Sequence, residues 1–179
     1  KTVTLVETNA GDDVGNYSIT AQGTTTANIT AKTLTATASA SNKVYDGTTT
    51  ATATLTFTGL VGAETLGQSV GATFADKDVA NAKTVTVNSI TLSDGDNGGV
   101  ASNYSISTGQ TTTANITAKA LTIVGITASN KTYNGNTTAT INVDSATFTG
   151  LVDGDAVTVS ADGTFDNENV ETNKTVALV

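Results

Sequence analysis

The sequence predicts an all-β protein made of tandem repeats, and three observations support this fold class. In residues 51–58 apolar side chains alternate with threonines, which is the two-residue period of a strand with one buried face. The chain also repeats itself at a spacing of 87 residues, as arrays of small domains do. No stretch keeps the 3.6-residue period of an amphipathic helix, and the abundant Thr and Val favour strands.

The repeat is visible in several pairs of matching segments. Residues 16–35 and 103–122 agree at 15 of 20 positions, and residues 41–51 resemble residues 129–139. The tripeptide Lys-Thr-Val begins at positions 1, 83 and 174. The repeat that joins these matches has a normal size for a small β-domain. We therefore expect the C-terminal part of a repeat in residues 1–33, a complete repeat in residues 34–121 and the N-terminal part of the next in residues 122–179.

Each repeat is expected to be an antiparallel β-sandwich or a β-grasp-like domain, two architectures that strand patterns alone do not separate. Asp46-Gly47 and Asn134-Gly135 are dipeptides typical of tight turns between strands. The apolar run Ile116–Ile126 joins two repeats directly. This run predicts a nearly continuous strand across the junction, and hence a stiff, elongated array.

The composition excludes much of the chemistry that side chains perform in enzymes and metalloproteins. The chain has no Cys, His or Arg, and its net charge is −8. Without Cys or His, the usual zinc, haem and iron–sulfur sites and the nucleophile relays built on those residues are excluded. Binding of nucleic acid depends on clustered cations and is not expected, and no apolar run is long enough to span a membrane. We expect neither an enzyme nor a cofactor.

One acidic loop is a candidate calcium site. Residues 93–99 read SDGDNGG, in which Asp94, Asp96 and Asn97 offer oxygen atoms as ligands. The EF-hand spacing fails, because Gly98 lies where a third oxygen ligand belongs and no Glu follows at the required distance. A turn rich in Asp, Asn and Gly explains the same residues without a metal, and we favour that interpretation.

An internal crosslink between a lysine and an asparagine is a further candidate, since Lys83 lies near Asn81 and Lys174 lies near Asn173. Such a bond also needs a carboxylic acid beside the pair in an apolar pocket.

Residues 43–49, KVYDGTT, resemble the YDG repeat of large bacterial surface proteins, and the resemblance continues in register over essentially the whole chain. In the second copy Asn takes the place of Asp, and the turn should persist because Asn also tolerates a positive φ. The motif residues are Lys43, Tyr45, Asp46 and Gly47 in the complete repeat, and Lys131, Tyr133, Asn134 and Gly135 in the next.

The resemblance implies a place in filamentous-haemagglutinin-like adhesins, which bacteria often secrete by a two-partner route, and hence an extracellular or cell-surface location. It carries over no catalytic residues, because the motif is structural. We expect a stalk or spacer that carries a binding tip away from the cell. The alternatives are a subunit of a self-assembling extracellular fibre and a module that binds surface glycans around Tyr45 and Tyr133. The expected partners are neighbouring repeats or other copies of the chain.

Overall fold

The computed structural model describes all residues from Lys1 to Val179. The N-terminal segment, residues 1–33, holds β1 (Thr2–Thr4), β2 (Thr24–Thr26) and β3 (Lys32–Thr33). The middle repeat, residues 34–121, holds β4 (Thr35–Ala40), β5 (Lys43–Val44), β6 (Thr50–Ala51), β7 (Ala53–Thr58), β8 (Leu66–Phe74), β9 (Ala80–Asp94), β10 (Tyr104–Ser105) and β11 (Thr111–Thr117). The C-terminal segment, residues 122–179, holds β12 (Thr122–Val124), β13 (Thr127–Ala128), β14 (Thr138–Ala139), β15 (Ile141–Asn142), β16 (Thr147–Thr149), β17 (Gly163–Phe165) and β18 (Val176–Leu178).

The predicted all-β class is confirmed. The helical residues are confined to two 3-10 turns, Val14–Asn16 and Ala101–Asn103. Neither turn approaches the length that a helix needs to cross a bilayer, and no helix in the structure does.

Five strands of the middle repeat form one sheet in the order β5-β11-β9-β8-β6. The longest strand, β9, pairs antiparallel with β8 on one side and with β11 on the other. β4 and β7 form a separate antiparallel pair, in which Ala38 lies opposite Leu55. The apolar side chains that alternate along β7 therefore face inward, as the two-residue period predicts.

One apolar core lies between the five-stranded sheet and the β4–β7 pair. The pair contributes Ala38 and Leu55, and the sheet contributes Phe74, Val85 and Ile116. The last two are 0 % and 1 % exposed. Because several other members of the core are alanines, each large side chain supplies a substantial share of the buried apolar surface.

The middle repeat contains nearly all the buried residues of the chain. Of 14 buried residues, none precedes Leu34 and two, Ala139 and Gly163, follow residue 121. The segments on either side thus have the strands of a repeat without a comparable core.

A glutamine side chain links the two layers of the middle repeat. The side-chain nitrogen of Gln68 donates to the carbonyl of Leu55 at 2.7 Å, and its side-chain oxygen accepts the Leu55 N–H at 3.0 Å. The amide of this residue on β8 thus occupies the place that a peptide group of a neighbouring strand would take. It satisfies both backbone groups of Leu55 where β7 has no strand beside it.

The pairing is not purely antiparallel, contrary to the prediction. β5 runs parallel to β11, with Lys43 opposite Ile116, and β3 runs parallel to β10, with Lys32 opposite Tyr104. Parallel strands need a long connection rather than a tight turn. The Gly, Asp and Asn residues that mark hairpins therefore give no sign of either pair.

The N-terminal segment repeats the β9–β11 pair of the middle repeat. Thr2 on β1 lies opposite Thr26 on β2, and their equivalents Thr84 and Thr113 lie opposite each other on β9 and β11. β1 therefore corresponds to β9, and β2 corresponds to β11.

The C-terminal segment repeats the other strands in the same register. β14, β17 and β18 correspond to β6, β8 and β9, and Phe165 lies opposite Val176 as Phe74 lies opposite Val85. β12 and β13 together correspond to β4, and β16 and β15 correspond to β7. No strand of residues 122–179 corresponds to β11.

The continuous strand predicted for Ile116–Ile126 is not formed. β11 ends at Thr117 and pairs with β5 and β9, whereas β12 begins at Thr122 and pairs with β16. The run therefore leaves one sheet and enters another, which the apolar pattern alone does not reveal. A second break follows at Gly125, where φ is +88° and a Cβ would lie 2.3 Å from the Ser145 carbonyl oxygen.

Equivalent isoleucines in two copies test where the core lies. Replacing Ile116, which is 1 % exposed, by alanine should lower the free energy of unfolding by about 2–5 kcal/mol, because it leaves a cavity. The matched change Ile29→Ala, at a site 79 % exposed, should change it by less than about 0.5 kcal/mol. Chemical denaturation of dilute protein measures both, and equal losses would contradict this description of the core.

Candidate functional site

The Tyr-Asp-Gly turn of the middle repeat closes on its own lysine. The Lys43 ammonium donates to Asp46 Oδ1 at 2.7 Å and to the Thr48 carbonyl at 2.7 Å. The same Asp46 oxygen also accepts the Thr48 N–H at 2.9 Å. An aspartate that binds the backbone two residues later forms a side-chain turn, and Gly47 supplies the positive φ of +78° that the chain needs there.

The motif lysine also lies over a phenylalanine ring in both copies. The Lys43 ammonium is 5.6 Å from the centre of the Phe74 ring, and the Lys131 ammonium is 5.3 Å from that of Phe165. In the second copy Lys131 donates to the backbone and side-chain oxygens of Asn136 at 2.6 and 3.0 Å. The sequence pattern did not predict this ring contact.

The contacts of Asp46 with Lys43 and Thr48 hold its carboxylate in the ionised form. The hydrogen bond from the Lys43 ammonium, supported by the Thr48 N–H, lowers the pKa of Asp46 from 3.8 to about 2. The ion pair is half exposed, so its main effect is to fix the shape of the turn.

The tyrosine of the motif reaches across to the next repeat. The Tyr45 hydroxyl donates to Asp155 Oδ2 at 2.8 Å, although the two residues are 110 positions apart. The Lys77 ammonium lies 3.5 Å from Asp155 Oδ1 and 6.0 Å from the centre of the Tyr45 ring. The bond to Asp155, with partial burial, raises the pKa of Tyr45. Tyr45, Lys77 and Asp155, which we call the junction triad, therefore join the middle repeat to the C-terminal segment.

The glycine of the motif lies against the same junction. A Cβ on Gly47 would approach Val152 Cγ1 to 2.9 Å, closer than such atoms pack. The equivalent Gly135 also has a positive φ, +74°, but a Cβ there would meet no atom within 4 Å. Beside this contact lies an open groove of about 420 Å³, whose walls include Tyr45, Leu121 and Asp155.

A second tyrosine binds residues 61–64, the loop of the middle repeat that corresponds to residues 152–155 at the junction. The Tyr104 hydroxyl donates to Glu64, the middle-repeat counterpart of Asp155, and accepts the Val61 N–H at 3.1 Å. Tyr104 is 7 % exposed, and the bond to Glu64 raises its pKa. Neither tyrosine contact was predicted. The recurrence of an acid at positions 64 and 155 was the one signal in the sequence that pointed to them.

Of the three candidate calcium ligands, Asp94 uses a carboxylate oxygen in a bond within the protein, Asn97 uses its side-chain nitrogen, and Asp96 uses its backbone N–H. Asp94 Oδ1 accepts the Ala101 N–H at 2.8 Å, and the Asp96 N–H donates to Thr65 Oγ1 at 2.7 Å. Asn97 adopts a φ of +57° and donates its side-chain amide to the Ala63 carbonyl at 3.0 Å. The contacts of Asp96 and Asn97 join the loop to the turn that precedes β8, and no group of three or more acids converges there.

The two lysines considered for a crosslink meet partners other than Asn81 and Asn173. The side chain of Lys83 is 8 % exposed and pairs with Asp76. Its equivalent Lys174 donates to Asn167 Oδ1 at 2.7 Å and lies 3.0 Å from Asp166. Each lysine thus reaches back to the loop before its strand, and lowers the pKa of its aspartate.

Comparison with known proteins yields one match. A family model described as the YDG domain matches residues 30–114 and again residues 117–179. No curated protein and no solved structure matches the chain.

The shifted pKa of Asp46 predicts a dependence of stability on pH. Its folded pKa lies below the unfolded value, so its contribution is present above about pH 4 and is lost as the pH falls towards about 2. Asp46→Asn should be less stable than the parent chain at neutral pH. The difference between the melting temperatures of the two proteins should shrink over this pH interval, because Asp46 loses its charge. Asp76 and Asp166 titrate in both proteins, so their effects cancel in the difference. A difference that stays constant down to pH 2 would contradict the assignment.

The two motif glycines offer a matched pair of substitutions. Gly135→Ala should cost about 1–2 kcal/mol, the cost of a side chain at positive φ. Gly47→Ala should cost more, because its Cβ would also meet Val152. Thermal unfolding measures both, and equal losses would show that Val152 does not pack against this turn.

Proposed function

This chain belongs to the YDG domain family, and on that premise we propose that it is part of the stalk of a secreted or surface-displayed bacterial adhesin. The family match supports the repeat itself, and the adhesin setting is our proposal from the resemblance to large surface proteins. In this role the repeats have no reaction to perform. Their task is to hold a binding tip at a distance from the cell.

The observation that carries the proposal is the hydrogen bond between Tyr45 and Asp155. It joins the signature residue of one repeat to the loop of the next, and Lys77 adds a second contact to the same carboxylate. A spacer needs its units held at a defined angle, because freely jointed units would collapse instead of reaching outward. The motif thus acts where repeats meet, as a stalk requires.

The finer architecture we propose is a two-layer sandwich for each repeat, with residues 34–121 as one complete unit. The second layer is the β4–β7 pair and not a helix, which favours a sandwich over a β-grasp-like domain. The strand registers of the two flanking segments match those of the middle repeat, which supports residues 34–121 as the unit that repeats along the array. The net charge of −8 would keep such arrays soluble and apart.

Two other functions receive less support from the site. A sugar site that recurs in each repeat needs an accessible aromatic face at both motif tyrosines. Tyr133 is 62 % exposed, but Tyr45 is engaged at the junction. A glycosidase that works with two carboxyl groups needs one of them to keep its proton near neutral pH. Asp46, Asp76 and Asp166 instead have lowered pKa values beside lysines. We therefore propose a mechanical role and no catalytic one.

The experiment that tests the stalk proposal lengthens the array. One and then two further copies of residues 34–121 are inserted after residue 121, and small-angle X-ray scattering gives the maximum dimension. A rod predicts an equal increase for each added copy. Increments that decline with each copy, as in a flexible chain, would contradict the proposal. In the matched control, Tyr45→Phe in every repeat should reduce the increments, because it removes the hydroxyl that binds the next repeat.

A further inference from the structure

The two copies of the motif turn share several contacts. The ammonium groups of Lys43 and Lys131 each donate to the carbonyl of the residue five positions later, at 2.7 and 2.6 Å. Asp46 Oδ1 and Asn134 Oδ1 each accept the N–H of the residue two positions later, at 2.9 and 3.4 Å. Asn134 therefore lies in a turn built like that of Asp46, although its side chain is an amide and not an acid.

The second turn lacks the ion pair of the first. The Lys43 ammonium is 2.7 Å from Asp46 Oδ1, whereas Lys131 forms no ion pair with any carboxylate. Lys131 is nevertheless held in place by the backbone and side-chain oxygens of Asn136, and it lies 5.3 Å from the centre of the Phe165 ring. A carboxylate at position 134 would thus meet a cation that is already positioned for it.

The chemistry of an Asn-Gly dipeptide can supply that carboxylate. The backbone nitrogen of Gly135, on losing its proton, attacks Cγ of Asn134, and the side-chain nitrogen leaves as ammonia while a succinimide ring closes. Glycine allows this attack because it has no Cβ to hinder it. Water then opens the ring. Addition of water at Cγ breaks the new C–N bond and gives aspartate, whereas addition at the main-chain carbonyl gives isoaspartate.

The turn leaves the reacting atoms accessible. Asn134 and Gly135 are exposed, and the Gly135 N–H donates to no backbone carbonyl. In the middle repeat β11 and Val152 lie beside the equivalent turn, and the side chain of Asp46 there is still 51 % exposed. Access of water to this position is therefore a property of the turn itself.

The chain has a second Asn-Gly dipeptide, which is held differently. Asn97 is also exposed, and the Gly98 N–H is likewise without a backbone partner. The side-chain nitrogen of Asn97 donates to the Ala63 carbonyl at 3.0 Å, whereas the Asn134 side chain only accepts one long bond. Because that nitrogen is the leaving group and Cγ must turn towards the backbone, the bond to Ala63 has to break before Asn97 can react.

We propose that Asn134 is a site of covalent modification, at which loss of ammonia and gain of water convert the asparagine to aspartate. The new carboxylate binds Lys131 as Asp46 binds Lys43. The product is the Tyr-Asp-Gly motif itself, so the second copy acquires the closed turn of the first after synthesis. The inference depends on the comparison of the two turns and not on the stalk proposal, so either can fail alone.

Peptide mapping by mass spectrometry tests the modification in the 179-residue chain. The folded chain is incubated at mildly alkaline pH, where the backbone nitrogen loses its proton more readily, and both Asn-Gly sites are followed over time. We expect position 134 to gain the mass difference between an amide and an acid several times faster than position 97. Electron-transfer fragmentation distinguishes aspartate from isoaspartate, and aspartate should be among the products.

The matched control for this measurement is the same chain in urea. Both sites should then react at similar rates, because unfolding removes the bond between Asn97 and Ala63. The proposal is overturned if the two sites react equally fast in the folded chain, or if urea leaves the ratio of their rates unchanged. It is also overturned if isoaspartate is the entire product at position 134.

The variant Asn134→Asp supplies the product directly and tests its partner. Its melting temperature at neutral pH should exceed that of the parent chain, because Lys131 gains an ion pair. This gain should be present above about pH 4 and disappear as the pH falls and the new carboxylate takes up a proton. The control Asn97→Asp should give no gain, since it loses the bond to Ala63 and places a second charge beside Asp96. An Asn134→Asp variant that melts no higher than the parent would overturn the assignment of Lys131.

Discussion

The structure depends on the position of β11 between β9 and β5. Its antiparallel ladder with β9 completes the sheet, and its parallel pairing with β5 brings Lys43 and Val44 to the sheet edge. The bond from the Tyr45 N–H to the Thr117 carbonyl then fixes where the Tyr-Asp-Gly turn leaves that edge. The turn, and with it the hydroxyl that meets the next repeat, is placed by a strand that lies more than sixty residues later in the chain.

This arrangement gives the signature residues separate tasks. Lys43 and Asp46 close the turn, with the lysine also lying over Phe74, so that the loop is fixed to the core. Tyr45 and Gly47 face the junction. The Tyr45 hydroxyl binds Asp155, and Gly47 leaves room for Val152 because it has no side chain. A motif that looks like a simple hairpin turn therefore connects the core of one repeat to the surface of its neighbour.

The features set by short-range pattern could be predicted from the sequence, and those set by long-range contact could not. Alternation identified β7 with its inward Leu55, and the Asp46-Gly47 turn lies where its dipeptide indicated. The parallel pairing of β5, the break at residues 118–121 and the partner of Tyr45 depend on residues that the pattern does not connect. Among the residues that the calcium, crosslink and glycan hypotheses named, Asp94, Lys83 and Tyr45 are bonded within the protein, whereas Tyr133 is exposed.

The central claim is that the junction triad holds consecutive repeats at one angle. Because the chain has no cysteine, spin labels can be attached at Thr52→Cys and Ser160→Cys, two exposed sites on either side of the junction. Pulsed electron resonance then measures the distribution of distances between the labels. A single narrow distribution that broadens in Asp155→Ala is the result we predict. A broad distribution in the parent chain, unchanged by Asp155→Ala, would contradict the account.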